Sequence, residues 1–118
     1  MTDLLSQINQ ISDPKNLTDI EKKHTPVITA PDFIKPEQPI TVIIEVGRLA
    51  SHPNEINHFI GFIELYQNDV FIARVDMSPS RINPKVIFEI IPKYPGMLKV
   101  IAGCNIHGVW QATKDLTL

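Results

Sequence analysis

The sequence predicts an all-β fold of the sandwich type, and three observations carry that reading. The first is composition: eighteen Ile and eight Val stand against eight Leu and five Ala. β-branched side chains are stiff at χ1 and suit a pleated surface better than a helix. The second is the presence of ten prolines in 118 residues, which interrupt helices and sit well in turns and at strand edges. The third is a series of six or seven short apolar runs, at spacings of roughly 8 to 12 residues with turn signals between them.

Taken in order, the elements begin with an N-terminal arm, residues 1–20, that precedes the strand pattern. Leu4, Leu5, Ile8 and Ile11 have helical spacing there, and Asp13-Pro14 interrupts it. The segment reads as a docking arm, as a short helix at a subunit contact, or as a frayed end. Pro26 to Thr29 is a short edge strand, and the three prolines between Pro31 and Pro39 mark a turn-rich connection. Thr41 to Val46 alternates, with Val42, Ile44 and Val46 on one face. Phe59 to Tyr66 and Val70 to Met77 flank Gln67-Asn68-Asp69, a polar connection suited to a hairpin. Lys85 to Ile91 ends at Pro92, Met97 to Gly103 opens after Pro95-Gly96, and Val109 to Leu118 forms the last strand. No internal repeat or linker divides residues 21–118, which read as one domain.

Charge and cysteine usage narrow the function classes. A net charge of −2 with 20% charged residues supplies neither a basic footprint for nucleic acid nor a polybasic membrane anchor. Neither partner is expected. One cysteine forms no internal disulfide, the N-terminus lacks the pattern of a signal peptide, and no apolar run is long enough for a membrane span. A reducing cytoplasm is the expected location.

The metal-ligand inventory is small: His24, His52, His58, His107 and Cys104. Cys104-Asn105-Ile106-His107 follows a strand and is closed by Gly108, so a thiol and an imidazole three apart can face one centre. His52 and His58 lie in the long polar loop before Phe59, where Pro53 restricts His52, and His24 stands just before Pro26. Taken one at a time, these residues read first as a buried Cys and solvated imidazoles. Their common placement, all in loops or at strand ends, argues for a shared site. Structural zinc takes four ligands, so five donors exceed it, whereas imidazole with one thiolate suits iron or copper. A blue-copper site calls for a Met after the second His, and none follows His107.

At these residues the chain resembles the superoxide reductases, specifically the short neelaredoxin-like class of the desulfoferrodoxin iron-binding family. The resemblance covers about residues 21–118. It rests on Lys23-His24-Thr25-Pro26-Val27-Ile28, on Val46-Gly47 leading to His52-Pro53-Asn54 with His58 six residues after His52, and on Ile63-Glu64-Leu65-Tyr66. Cys104-Asn105-Ile106-His107-Gly108-Val109-Trp110 completes it. The longer desulfoferrodoxins add a rubredoxin-like iron domain with four cysteines, which this chain lacks, so that second centre is not expected.

The resemblance implies an immunoglobulin-like β-sandwich of about seven strands and one non-haem iron per chain. It implies His24, His52, His58 and His107 in the basal plane of a square pyramid and the Cys104 thiolate on its axis, with the opposite position open to superoxide. The implied reaction is one-electron reduction of superoxide to hydrogen peroxide, with rubredoxin or a similar carrier re-reducing the iron. Backbone N–H groups around Asn105 to His107 are placed to tune the sulfur. Lys23 is expected to attract the anion and organise proton-delivering water. Homotetramers or dimers are the implied assembly.

One departure stands out. The family reads Glu-Lys-His, where that Glu reaches the sixth position of oxidised iron; here the order is Glu21-Lys22-Lys23-His24. Either the loop slips so that Glu21 reaches the metal, or the sixth ligand is water or hydroxide. Outside this class, the same residues fit a non-catalytic metal-binding or electron-transfer sandwich, or a plain interaction module.

Overall fold

Alternation along the chain becomes layering in space. The computed structural model describes residues 7–118. In chain order the elements are β1 (Ile8–Asn9), α1 (Asp19–His24), β2 (Val27–Thr29), β3 (Ile40–Glu45), β4 (Ile60–Gln67), β5 (Val70–Asp76), β6 (Lys85–Ile90), β7 (Gly96–Cys104) and β8 (Gly108–Leu116). They form a five-stranded sheet, ordered β1-β8-β7-β4-β5, and a three-stranded sheet, ordered β2-β3-β6. All pairings are antiparallel except β1 with β8. This is the sandwich the sequence predicts.

The core lies between the sheets. From the smaller sheet Val42, Ile44, Val86 and Ile90 face inward; from the larger come Ile63, Leu65, Leu98, Val100, Ala102 and Leu116. The register places Leu65 opposite Val100 and Ile63 opposite Ala102, so one row of β4 and one row of β7 share the inner face. Cys104 continues the β7 row after Leu98, Val100 and Ala102 and belongs to the same buried cluster. The last inward position of a core strand is thus a thiol at the end of the sandwich.

All seven runs read from the sequence form strands, with ends moved by a residue or two. The β4–β5 hairpin turns on Asn68 and Asp69, both at positive φ (46° and 64°), the signature of a type I′ connection whose twist matches the strands. Gln67 belongs to β4 rather than to the turn. Two features depart from the reading. Ile8 and Asn9 are extended and pair with Val109 and Trp110 instead of continuing a helix; Leu4 and Leu5 lie outside the described residues. A six-residue helix, α1, spans the junction between arm and domain.

Candidate metal centre

Three segments converge at one end of the sandwich. The first is α1, too short to be stable by itself. It is started by a capping box: the Thr18 hydroxyl accepts from the Glu21 N–H (3.2 Å), and Glu21 Oε1 accepts from the Thr18 N–H (2.9 Å). Pro26 follows directly on its C-cap, Thr25. Within the helix, His24 Nδ1–H donates to the Ile20 carbonyl at 2.7 Å. That bond sets the tautomer and leaves Nε2 with its lone pair free.

The second segment is the loop from β3 to β4, which opens at Gly47 with φ +91°, a conformation that favours glycine. His52 Nδ1–H donates to the Pro53 carbonyl at 2.6 Å, which again frees Nε2. Glu55 and His58 exchange backbone hydrogen bonds (2.9 and 3.1 Å) and close a tight turn that presents His58. The third segment is the β7–β8 turn, residues 105–107, closed by Gly108 at φ +82°. There the His107 N–H donates to Cys104 Sγ at 3.3 Å, and the same sulfur lies 3.9 Å from His107 Nδ1.

These segments bring four of the five predicted donors into one group, with the fifth beside it. Ligand atoms of His24, His58, Cys104 and His107 lie within 4.8 Å of one another. His52 adjoins the set, its Nε2 3.2 Å from His24 Nε2 and its ring centroid 4.8 Å from that of His58. Two nitrogens at right angles, each about 2.1 Å from one ion, lie about 3.0 Å apart, so the His24–His52 spacing suits neighbouring ligands. His58 Nε2 is buried and has no hydrogen-bond partner among the described residues. A buried polar atom without a partner is costly, and a cation held by the cluster would satisfy it.

Electrostatics agree with a cation site. Burial, then repulsion from neighbouring imidazoles and Lys23, pushes the His24 and His107 pKa values below the ordinary range. The His52 pKa is lowered to about 4, chiefly by burial. All three imidazoles are therefore neutral near pH 7, the form that binds metal. Four imidazoles and a thiol supply borderline and soft donors that fit iron.

The rings are held by their surroundings. Trp110 stacks on His24 (centroids 5.3 Å, 25° between planes) and donates its Nε1–H to the His107 carbonyl at 3.0 Å. Asn105 joins two segments: its Oδ1 accepts from the Phe59 N–H (2.8 Å), and its Nδ2 donates to the Asn57 carbonyl (2.9 Å). The backbone donor expected near Asn105 to His107 is that of His107. Lys23 is exposed and, with Asp19, Ile20, His24, Pro53, His58 and His107, lines a cavity of about 250 Å³ over the cluster. Glu21 is buried at 6% exposure. Its carboxylate accepts from Thr18 and, through Oε2, from the Ser12 N–H (3.0 Å) and hydroxyl (3.2 Å). These bonds hold its pKa below the carboxylate norm.

The model of the desulfoferrodoxin family matches residues 16–113. The chain belongs to the desulfoferrodoxin family. A protein of Methanocaldococcus jannaschii is 40% identical over 110 residues, covering 88% of this chain and 90% of that one. A superoxide reductase of Pyrococcus abyssi is 32% identical over 104 residues, covering 80% and 88%. Among solved structures, the superoxide reductase (neelaredoxin) from Ignicoccus hospitalis superposes with a TM-score of 0.81 at 36% identity, over 93% of this chain and 94% of that one.

Within this desulfoferrodoxin-family domain, the sequence reading missed α1 and the roles of Asn105 and Trp110. The signal for the helix was present: Thr18-Asp19-Ile20-Glu21 has capping-box spacing, and Pro26 marks the stop. Asn105 and Trp110 lie in the quoted motif, but what they hold is a matter of contacts across the fold.

Proposed function

We propose that the protein is a superoxide reductase with one iron per chain, held by His24, His52, His58, His107 and the Cys104 thiolate. The observation that carries this reading is the clustering of His24, His58, His107 and Cys104 within 4.8 Å, with His52 beside His24 and with His58 Nε2 lacking a hydrogen-bond partner among the described residues. The chemistry supplied by an iron ion bound there is a single-electron change between the ferrous and ferric states. The balance is one superoxide, one electron and two protons in, and one hydrogen peroxide out.

The chain's own groups do the rest. His24 and His52 present Nε2 because their Nδ1–H groups are engaged by the Ile20 and Pro53 carbonyls. Cys104 raises electron density at the metal, and the His107 N–H tempers the sulfur's charge. Lys23, exposed at the cavity, attracts the anionic substrate and orders water on the route by which solvent protons arrive. The electron is restored by a small carrier of the rubredoxin type. The same reading places the protein in the cytoplasm as a homodimer or homotetramer.

Metal analysis with EPR on the purified protein, followed by stopped-flow mixing of the ferrous protein with pulsed superoxide, tests the proposal. The expected result is about one high-spin ferric iron per chain and stoichiometric peroxide without dioxygen. Copper in the site, or a ferrous protein inert to superoxide, overturns it.

A further inference from the structure

Glu21 is the one buried carboxylate among the described residues, and the proposed reaction makes no use of it. Among the described residues its hydrogen bonds go to groups outside the imidazole cluster: Oε1 takes the Thr18 N–H, and Oε2 takes the N–H and hydroxyl of Ser12. Thr18 is the N-cap of α1, and Ser12 belongs to the arm. The arm is itself fastened to β8, through the β1 pairing with Val109 and Trp110, the Asn9 Nδ2 bond to the Val109 carbonyl (3.0 Å) and the Gln111–Gln10 side-chain bond (2.7 Å). β8 also carries Trp110, which stacks on His24.

A six-residue helix has no stability of its own, so its placement depends on caps and on what ties it to the sandwich. One carboxylate here does both, closing the capping box and joining helix to arm. The helix in turn aims two groups at the cavity, His24 through the Ile20 carbonyl and Lys23. Taking the metal-centre reading as its basis, we propose that Glu21 is a positioning residue: it locks α1 to the arm and thereby sets where His24 and Lys23 stand. The arm is then part of the machinery of the site, and Glu21 is not a ligand of the oxidised metal.

The substitutions follow from the bonding. Glu21→Ala removes every acceptor. Glu21→Gln keeps an oxygen for the Thr18 N–H but turns an NH₂ toward the Ser12 N–H, a donor facing a donor. Ser12→Ala removes only the hydroxyl. Two readouts address the site and one the fold: Co²⁺ affinity and visible bands of the metal-free protein titrated with Co²⁺, emission of Trp110, and thermal midpoint. Trp110 is the single tryptophan, and its stack on His24 makes its emission report that ring's position with or without metal.

Glu21→Ala is expected to weaken Co²⁺ binding about tenfold, as loss of an outer support does at metal sites, to alter the Co²⁺ bands and to shift Trp110 emission. Glu21→Gln falls between Ala and wild type, and Ser12→Ala lies nearest wild type. Unchanged affinity, bands and emission in Glu21→Ala, with or without a lower thermal midpoint, would reduce Glu21 to a cap and overturn the proposal. So would a changed ferric spectrum accompanied by unchanged Co²⁺ affinity and emission, the pattern of a direct iron ligand. Failure of the wild type to take up Co²⁺ would sink the metal-centre reading instead, and Trp110 emission would still decide whether Glu21 places His24.

Discussion

Cys104 occupies the position where core and chemistry meet. It is the last of the inward residues of β7, buried with Leu98, Val100 and Ala102, and its sulfur receives the His107 N–H. Burying a thiolate without compensation is expensive; on the proposed reading a metal ion would provide that compensation together with the His107 N–H. Cys104→Ser is expected to abolish both the thiolate charge-transfer band and the reaction with superoxide while the folded β spectrum persists. Absorption and stopped-flow measurements on one sample check this. The steering role proposed for Lys23 rests on its charge. Among the described residues no ion pair engages it, so its ammonium is free to act on the cavity. Lys23→Ala should slow the bimolecular step several-fold and flatten its salt dependence, because steering is screened over roughly 8 to 10 Å at moderate ionic strength. Equal rates and equal salt slopes in the two proteins would remove the steering role.

Elements matter because the five candidate donors come from three separate segments. α1 carries His24, the β3–β4 loop carries His52 and His58, and the end of β7 with the turn that follows it carries Cys104 and His107. Asn105 is the clasp between the last two, bonded to Phe59 and Asn57. Asn105→Ala leaves the core untouched but lets the turn and the loop separate. The expected outcome is metal affinity about tenfold lower with a nearly unchanged thermal midpoint for the metal-free protein, read by chelator competition and calorimetry. The strands were legible from alternation and turn residues, since burial on one face imposes a period of two along the chain itself. α1 was obscured by its length: six residues leave no periodicity to detect, and only the cap at Thr18 and the stop at Pro26 announce it.

At the scale of the molecule, the candidate centre sits at one end of a sandwich whose core lies elsewhere. Val42, Ile44, Ile63, Leu65, Leu98 and Val100 have no exposed area, and all lie between the sheets rather than in the metal loops. Removing metal with a chelator should therefore lower the thermal midpoint by the binding free energy it withdraws yet leave the far-UV β spectrum in place. A coil spectrum after chelation would show that metal and fold are coupled as in a zinc finger. The short β1 edge adds a second theme. The arm pairs in parallel with β8, so the strand that follows His107 also anchors the segment that reaches Glu21, and the two sides of the site are referenced to one strand.

The sequence by itself determined the class of fold and the set of candidate donors. Strand formation depends on neighbours two residues apart, and a chain with four His and one Cys has few ways to build a soft metal site. Only the tertiary structure decided how those donors meet. His24 and His52 are 28 positions apart, yet their nitrogens come within 3.2 Å, and which nitrogen each presents follows from the carbonyls of Ile20 and Pro53. The sequence left Glu21 open as a candidate ligand, and the fold places its carboxylate on Ser12 and Thr18. The physical reason is the same in each case. Periodicity is local, whereas convergence depends on how two sheets stack, how their loops close over one end, and where an arm is pinned.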